Sequence, residues 1–358
     1  MKRLAWLRAI GWIVGAVLVA DVVHAAEGKV ETITVIGKRL EEDLPQELAR
    51  TGIRVDTIGS SELKNGGYVD VSMPLQSLGR GFYVAPKNGR FDYVDLSYQG
   101  SRTQDVLWLV DGVRINNRLY AGTTPLDTIP ASMVERIEIL EGGQALFYGT
   151  QAVAGAVNIV TKDFTDAIDG AISLGGGTQD QRHVDGYVRG SLPGSNRFVL
   201  YASHDQSDGF QPFPDSDYRP SSTDRHRDYN VTGVGGKYAR DFGEALRFTA
   251  GYHHTDAKLD FAQPTLVHTA FNERDEDLLH AKIDYAFSDR VELFLKGYYH
   301  WWKSHFTEID NELDESGMPT GTLTTIDDEA PWGFRDYGTN ALAKVGVFPG
   351  LESLLGYD

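Results

Sequence analysis

The chain changes texture once. From Ile53 to Lys162 short apolar runs are separated by glycine-rich turns, and from about Asp166 onward longer segments alternate apolar and polar side chains. In the first part, Val106-Leu107-Trp108-Leu109-Val110-Asp111-Gly112-Val113 is an apolar run broken by Asp-Gly, which predicts a buried strand entering a tight turn. Val134-Glu135-Arg136-Ile137-Glu138-Ile139-Leu140-Glu141 nearly alternates apolar and charged positions, as a strand with one wet face does. Gly142-Gly143 breaks it, and Gln144 to Gly149 fits a short helical turn closed by glycine. Ala152 to Ala156 is small enough for backbone to approach backbone, and Val157 to Lys162 is a last strand. Upstream, Ile53 to Ile58 reads as a first strand, and Ser60-Ser61-Glu62-Leu63 as a helix start capped by Ser60.

In the second part the strand candidates are 170–177, 183–191, 197–204, 229–238, 246–255, 278–287, 291–302, 337–347 and 351–357. Tyr238, Phe287, Tyr298, Tyr299, Trp301 and Trp302 fall near strand ends, where membrane-interface girdles place aromatic rings. A soluble β-sandwich or propeller shares the alternation. Strands of roughly ten residues, with short turns alternating with long loops (206–228, 256–277 and 306–336), favour a transmembrane barrel.

The N-terminus carries two further signals. Lys2, Arg3 and Arg8 precede an apolar core from Ala9 to Ala20, and Val23-His24-Ala25 suits a cleavage site, so residues 1–25 are expected to be a signal peptide. Next, Glu31-Thr32-Ile33-Thr34-Val35-Ile36 holds five β-branched residues in a row, stiff toward an extended form. Its flanks, 26–29 and 38–43, are polar and expected to be mobile. A strand-ready segment on a leash suits addition to the edge of another protein's sheet.

Composition mainly excludes. The 358 residues contain no cysteine, which removes disulfides and thiolate chemistry, and the formal charge of −17 argues against a nucleic-acid partner. After the N-terminus no apolar run of ~18 residues exists, so a helical membrane protein is excluded. No nucleophile elbow, zinc-helix motif or phosphate loop appears, and no enzyme activity is expected. His253 and His254 point to opposite faces of a strand and cannot share a metal, while His300 and His305 read as interfacial. Asp205, Asp208, Asp215, Asp217, Asp224 and Asp228 crowd one long loop; oxygen clusters suit Ca²⁺, but solvated loop charge is the favoured reading because no defined calcium-loop spacing is present.

The order Asp111-Gly112-Val113, Val134 to Ile139, Tyr148-Gly149 and Gly155 to Lys162 resembles the plug domain of TonB-dependent outer-membrane receptors. The resemblance implies an α+β plug followed by an all-β, antiparallel transmembrane barrel, divided as signal peptide 1–25, TonB box and linker 26–50, plug 51–163 and barrel 166–358. Glu31, Thr32, Ile33, Thr34, Val35 and Ile36 become the TonB box; Gln99, Gly100, Asp111, Gly112, Glu135, Arg136, Glu138, Tyr148, Gly149, Gly155 and Asn158 are the plug-motif residues. Implied partners are TonB with ExbB and ExbD, outer-membrane lipid, and a small ligand such as a ferric siderophore or cobalamin, in a Gram-negative bacterium. Arg80-Gly81 stands where the family has Pro-Gly.

Two further departures concern charge. Gln99 and Glu141 stand where the family usually has arginines expected to pair with carboxylates on the barrel wall, so plug docking is expected to rely on different polar contacts. A plugged barrel has about 22 strands, whereas eight or nine are counted here, so the sequence is expected to be an N-terminal portion. The alternatives are a signalling receptor, an inactive fragment, and a secreted β-domain hydrolase or adhesin.

Overall fold

The computed structural model describes residues 40–50, 52–86, 89–91, 94–116, 128–143, 151–219, 222–262, 264, 269–328, 331–348 and 351–357. The N-terminal region of it opens with helix α1 (Leu40–Arg50), followed by β1 (Val55–Ile58), α2 (Ser60–Gly66), α3 (Ser72–Leu78), β2 (Phe82–Pro86) and β3 (Val94–Tyr98). Then come β4 (Val106–Val110), β5 (Val113–Arg114), β6 (Val134–Glu141) and β7 (Gly155–Thr161). The central sheet has the order β1-β6-β7-β4-β5, and β2 and β3 form a separate hairpin.

Both faces of that sheet are covered, which is why all five residues of β4 are buried. Val106, Trp108 and Val110 join Ile137, Ile139, Val157 and Ile159 in a core closed by Leu63 of α2 and Leu75 of α3. Leu107, Leu109, Leu140 and Ala156 face the other way, onto Leu40, Leu44 and Leu48 of α1. The polar flank expected to be mobile is therefore a helix from Leu40 onward. Its leucines recur every four residues, one stripe of a helical surface. Burying three of them stabilises the fold by roughly 6 kcal/mol.

Cap chemistry differs from the expectation at Ser60. Gly59 is the N-cap of α2, and its N–H donates to Glu62 Oε2 at 2.8 Å, so the acidic residue lies at the third helical position after all. For α3 the anchor is Asp70, whose Oδ1 accepts from the N–H groups of Ser72 and Met73, while Oδ2 accepts from that of Phe91.

The second region is one antiparallel sheet of ten strands: β8 (Asp169–Gly176), β9 (Arg182–Leu192), β10 (Asn196–Phe210), β11 (Arg227–Phe242), β12 (Leu246–Asp260), β13 (Thr269–Ser288), β14 (Val291–Leu313), β15 (Pro319–Asp328), β16 (Trp332–Phe348) and β17 (Leu351–Tyr357). Neighbours pair in sequence order, except that β15 adds to the far end of β14 while β16 pairs with its near end. Among the described residues the ladder is an open path ending at β8 and β17.

The two faces differ as a barrel wall requires. Leu200, Tyr238, Tyr252, Leu279, Ile283, Leu295 and Tyr299 point outward and are exposed, whereas Lys237, His253, Lys282, Lys296 and His300 alternate with them and are buried, the three lysines against the first region. Of the expected girdle rings, Tyr238, Phe287 and Tyr299 lie on the outer face, while Trp302 is buried within. His253 and His254 do face opposite ways: His253 is buried beside Tyr201 and Thr255, and His254 reaches Asp277 at 3.0 Å. His300 is not interfacial. It is buried in mid-strand, with Nε2 2.7 Å from Glu276 Oε1. The strands also outrun their predicted ends: the long loops expected at 256–277 and 306–336 are largely strand.

Candidate functional site: the seam between wedge and wall

The Asp111-Gly112 pair forms the two-residue turn between β4 and β5, with Asp111 at φ 48° and Gly112 at φ 72°. Two consecutive left-handed residues fit the twist of a tight hairpin, and Asp and Gly tolerate that region. The turn aims the Asp111 carboxylate across the sheet. It accepts from Thr161 N–H at 3.1 Å and Thr161 Oγ1 at 2.6 Å, and from Lys237 Nζ on the wall strand β11 at 2.8 Å. The same ammonium donates to the Thr161 carbonyl at 3.1 Å. Burial alone would raise the Asp111 carboxyl, but Lys237 together with the other groups around it, Thr161 among them, holds the carboxyl below its ordinary value.

Behind the turn the motif residues form one connected set. Gly112 N–H donates to Asn158 Oδ1 at 3.0 Å, Asn158 Nδ2 donates to Glu138 Oε2 at 3.0 Å, and Arg136 Nε donates to Glu138 Oε1 at 2.8 Å. Arg136 continues to Asp163 at 3.4 Å. Glu135, on the opposite face of β6, meets Arg189 of the wall at 3.3 Å. Gly155 is needed for close approach: a Cβ there would lie 2.6 Å from the Leu140 carbonyl and 2.9 Å from the Tyr98 ring.

A second anchorage involves α1, where Glu41 is paired with Lys296 of β14, whose Nζ also donates to the Gly112 carbonyl at 2.6 Å. Lys282 of β13 lies 3.3 Å from both Glu41 and Glu42 and 3.4 Å from Asp284. Burial would raise Glu41, yet Lys296 and then Lys282 hold it below the ordinary carboxylate range. Leu44 and its neighbours meanwhile pack on Phe294 and Leu342 of the wall.

Other contacts along the seam are apolar. Phe91 packs against the Tyr229 ring with centroids 5.3 Å apart, and Met133 clusters with Val199 and Tyr201. Gly233 faces Met133 closely enough that a Cβ would lie 2.5 Å from its sulfur.

The charge departures take a definite form. Gln99 is exposed, sits at φ 51°, and with Gly100 (φ 79°) makes a turn, its N–H donating to the Gly81 carbonyl at 2.8 Å. Glu141 pairs within the wedge, with Arg54 at 3.1 Å. At the seam the carboxylates belong to the wedge (Glu41, Glu42, Asp111, Glu135) and the cations to the wall (Lys282, Lys296, Lys237, Arg189).

The sequence reading missed Glu41, Glu42 and the wall lysines. The available signal was that Lys237, Lys282 and Lys296 fall on the strand face opposite the apolar stripe. Glu31 to Ile36, Tyr148 and Gly149 lie outside the described residues. The loop aspartates do not all meet: Asp208 and Asp224 lie near enough to Asp228 to add to the effect of burial on its carboxyl, whereas Asp215 and Asp217 are engaged elsewhere. Asp215 engages Arg225 at 2.9 Å, Asp217 accepts from Ser216 Oγ at 3.1 Å, and Asp224 accepts from His226 N–H at 3.4 Å. Asp208 ends β10 and its N–H donates to the Gln179 carbonyl, Asp228 faces Asp260, and Asp205 is drawn to His183 at 2.6 Å. Among the described residues no group of three or more acidic or histidine side chains could hold a metal ion.

An α+β wedge fixed against the polar inner face of an antiparallel sheet whose outer face is apolar defines the plug-and-barrel class. A family model described as the TonB-dependent Receptor Plug Domain matches residues 47–156, which include Asp111, Gly112, Glu138 and Gly155. Over that stretch the chain matches the plug domain of TonB-dependent receptors. It is 25% identical over 239 residues to the vitamin B12 transporter BtuB of Vibrio vulnificus, covering 66% of this chain and 37% of that one. To BtuB of Vibrio cholerae it is 30% identical over 162 residues, covering 45% and 26%.

Among solved structures, the siderophore receptor PirA from Acinetobacter baumannii superposes with a TM-score of 0.65 at 18% identity, covering 84% of this chain and 46% of that one. The ferric enterobactin receptor PfeA from Pseudomonas aeruginosa gives 0.63 at 16%, covering 87% and 49%. These two likenesses are of fold alone. The chain spans about a third or less of the curated relatives and about half of the solved structures.

Proposed function

We propose that this chain belongs to a receptor that imports a scarce nutrient, a cobalamin or a ferric siderophore, across the outer membrane, with no bond chemistry. In this reading Glu31 to Ile36 is the strand that TonB, driven by ExbB and ExbD, takes onto its sheet edge, and traction through it moves the wedge. The observation that carries it is the seam: a compact domain held against a polar wall by a few buried ion pairs can be dislodged without unfolding the barrel. The relatives, vitamin B12 transporters by sequence and siderophore receptors by fold, support both ligand classes.

The test is uptake of labelled cyanocobalamin and of ferric siderophores in outer-membrane receptor-deficient cells, with and without TonB. Import is expected to require TonB and to be lost in Ile33→Pro and Val35→Pro, since proline removes a ladder donor. Import that ignores TonB or tolerates both prolines would end this reading.

A further inference from the structure

Helix α1 is held by two kinds of contact that fail differently. Its leucines pack on the plug sheet and on Phe294 and Leu342 of the wall, contacts without direction that decay gradually as a helix slides. Its first-turn carboxylates instead meet two buried wall ammoniums, Lys282 and Lys296, whose side chains are 4% and 2% exposed. An ion pair in such surroundings is lost almost wholly once the helix moves by a few ångström and water enters.

Lys296 is the centre of the arrangement. It holds Glu41 of the helix and the Gly112 carbonyl of the β4–β5 turn while belonging to the wall, so three bodies meet at one ammonium. The joint closes only over a glycine, because a Cβ on Gly112 would collide with both the Glu41 carboxylate and the Lys296 ammonium. In the sequence Ile36 precedes Glu41 by five residues. Tension applied to 31–36 therefore reaches Glu41 and Glu42 before it reaches β1 and the sheet.

We propose that Glu41 and Glu42 with Lys282 and Lys296 form a release clasp. Its opening frees α1 from the wall as a first step, while the β4–β7 sheet stays seated through Asp111 and Lys237 and through the uncharged contacts above. The clasp rests on the uptake reading only for the source of the pull.

Because the chain has no cysteine, Ala49→Cys on the exposed side of α1 and Thr57→Cys on β1 each give a single spin-labelling site. The labelled full chain, in lipid bilayers, is compared with Lys282→Gln/Lys296→Gln and with Glu41→Gln/Glu42→Gln. The mobile fraction at Ala49→Cys is expected to rise at least about tenfold when either side loses its charge, since breaking a buried pair strands the partner. At Thr57→Cys it is expected to stay as it was.

Exchanging the charges, Glu41→Lys with Lys296→Glu, is expected to restore order at Ala49→Cys. Both labels loosening together would show general unfolding rather than a clasp, and neither moving would show that the leucines suffice; each overturns the proposal. So does an exchanged pair that stays loose. Clasp variants that behave as expected while import proves independent of TonB would strike the uptake reading and leave the clasp standing.

Discussion

The lower and upper halves of the seam hold the plug by different means. Below, Glu41, Asp111 and Glu135 meet Lys296, Lys237 and Arg189; above, Phe91 lies on Tyr229 and Met133 fits against Gly233. Ion pairs of this burial add little net stability compared with well-packed apolar groups, but they fix register, and losing one partner is costly. Uncharged packing costs only the cavity it leaves. The lower half is therefore the one that can give way abruptly, and it is also the half that holds α1, the first described element of the chain.

The largest expected effect breaks the lower half. Lys237→Met leaves Asp111 buried without its cation and should destabilise plug docking by about 4 kcal/mol, read as a lowered urea midpoint for exchange of the β4 and β7 amides. Phe91→Ala, in the upper half, should cost about 3 kcal/mol through the cavity beside Tyr229, in the same measurement. If the two costs came out reversed, with Lys237→Met close to neutral, the contrast between the halves would be wrong.

The smallest effect is that of pH. Glu41 and Asp111 are held below their ordinary values, so the stability they contribute is present above the usual carboxylate pKa and lost as pH falls through the lowered one. Plug protection should hold nearly constant from about pH 8 to about pH 5 and fall only below ~4. A loss centred near neutrality would mean that groups other than these carboxylates control the seam.

What could be read from the sequence follows from what each pattern encodes. The plug sheet was legible because the apolar run 106–110 and the near-alternation of 134–141 record burial directly, and the Asp-Gly turn records left-handed backbone. Helix α1 was hidden. Pro45 stands inside it and acidic residues crowd its first turn, although Leu40, Leu44 and Leu48 carried the helical period. The barrel strands were found wherever their outer face is apolar. Beyond that level both faces are polar, so alternation vanishes while the backbone ladder continues, and β15 and the outer parts of β13 and β14 went unseen. The pairing of Asp111 with Lys237 joins positions 126 apart, a distance no local pattern spans. The lost charge at Gln99 and the inverted one at Glu141 both lie away from the seam, Gln99 exposed and Glu141 paired with Arg54.

The overlong strands have a consequence of their own. On β13 the outward positions beyond Leu279 are Asp277, Asp275, Glu273 and Phe271, and the strand starts at Thr269, ten residues from Leu279. At ~3.4 Å per residue and a tilt of roughly 40°, that length is a rise on the order of 25 Å along a barrel axis. A paired ladder of that height is stiff where a coil would not be. On the import reading proposed above, ligand would first be met well out from the lipid surface, on a rigid collar rather than on loose coil.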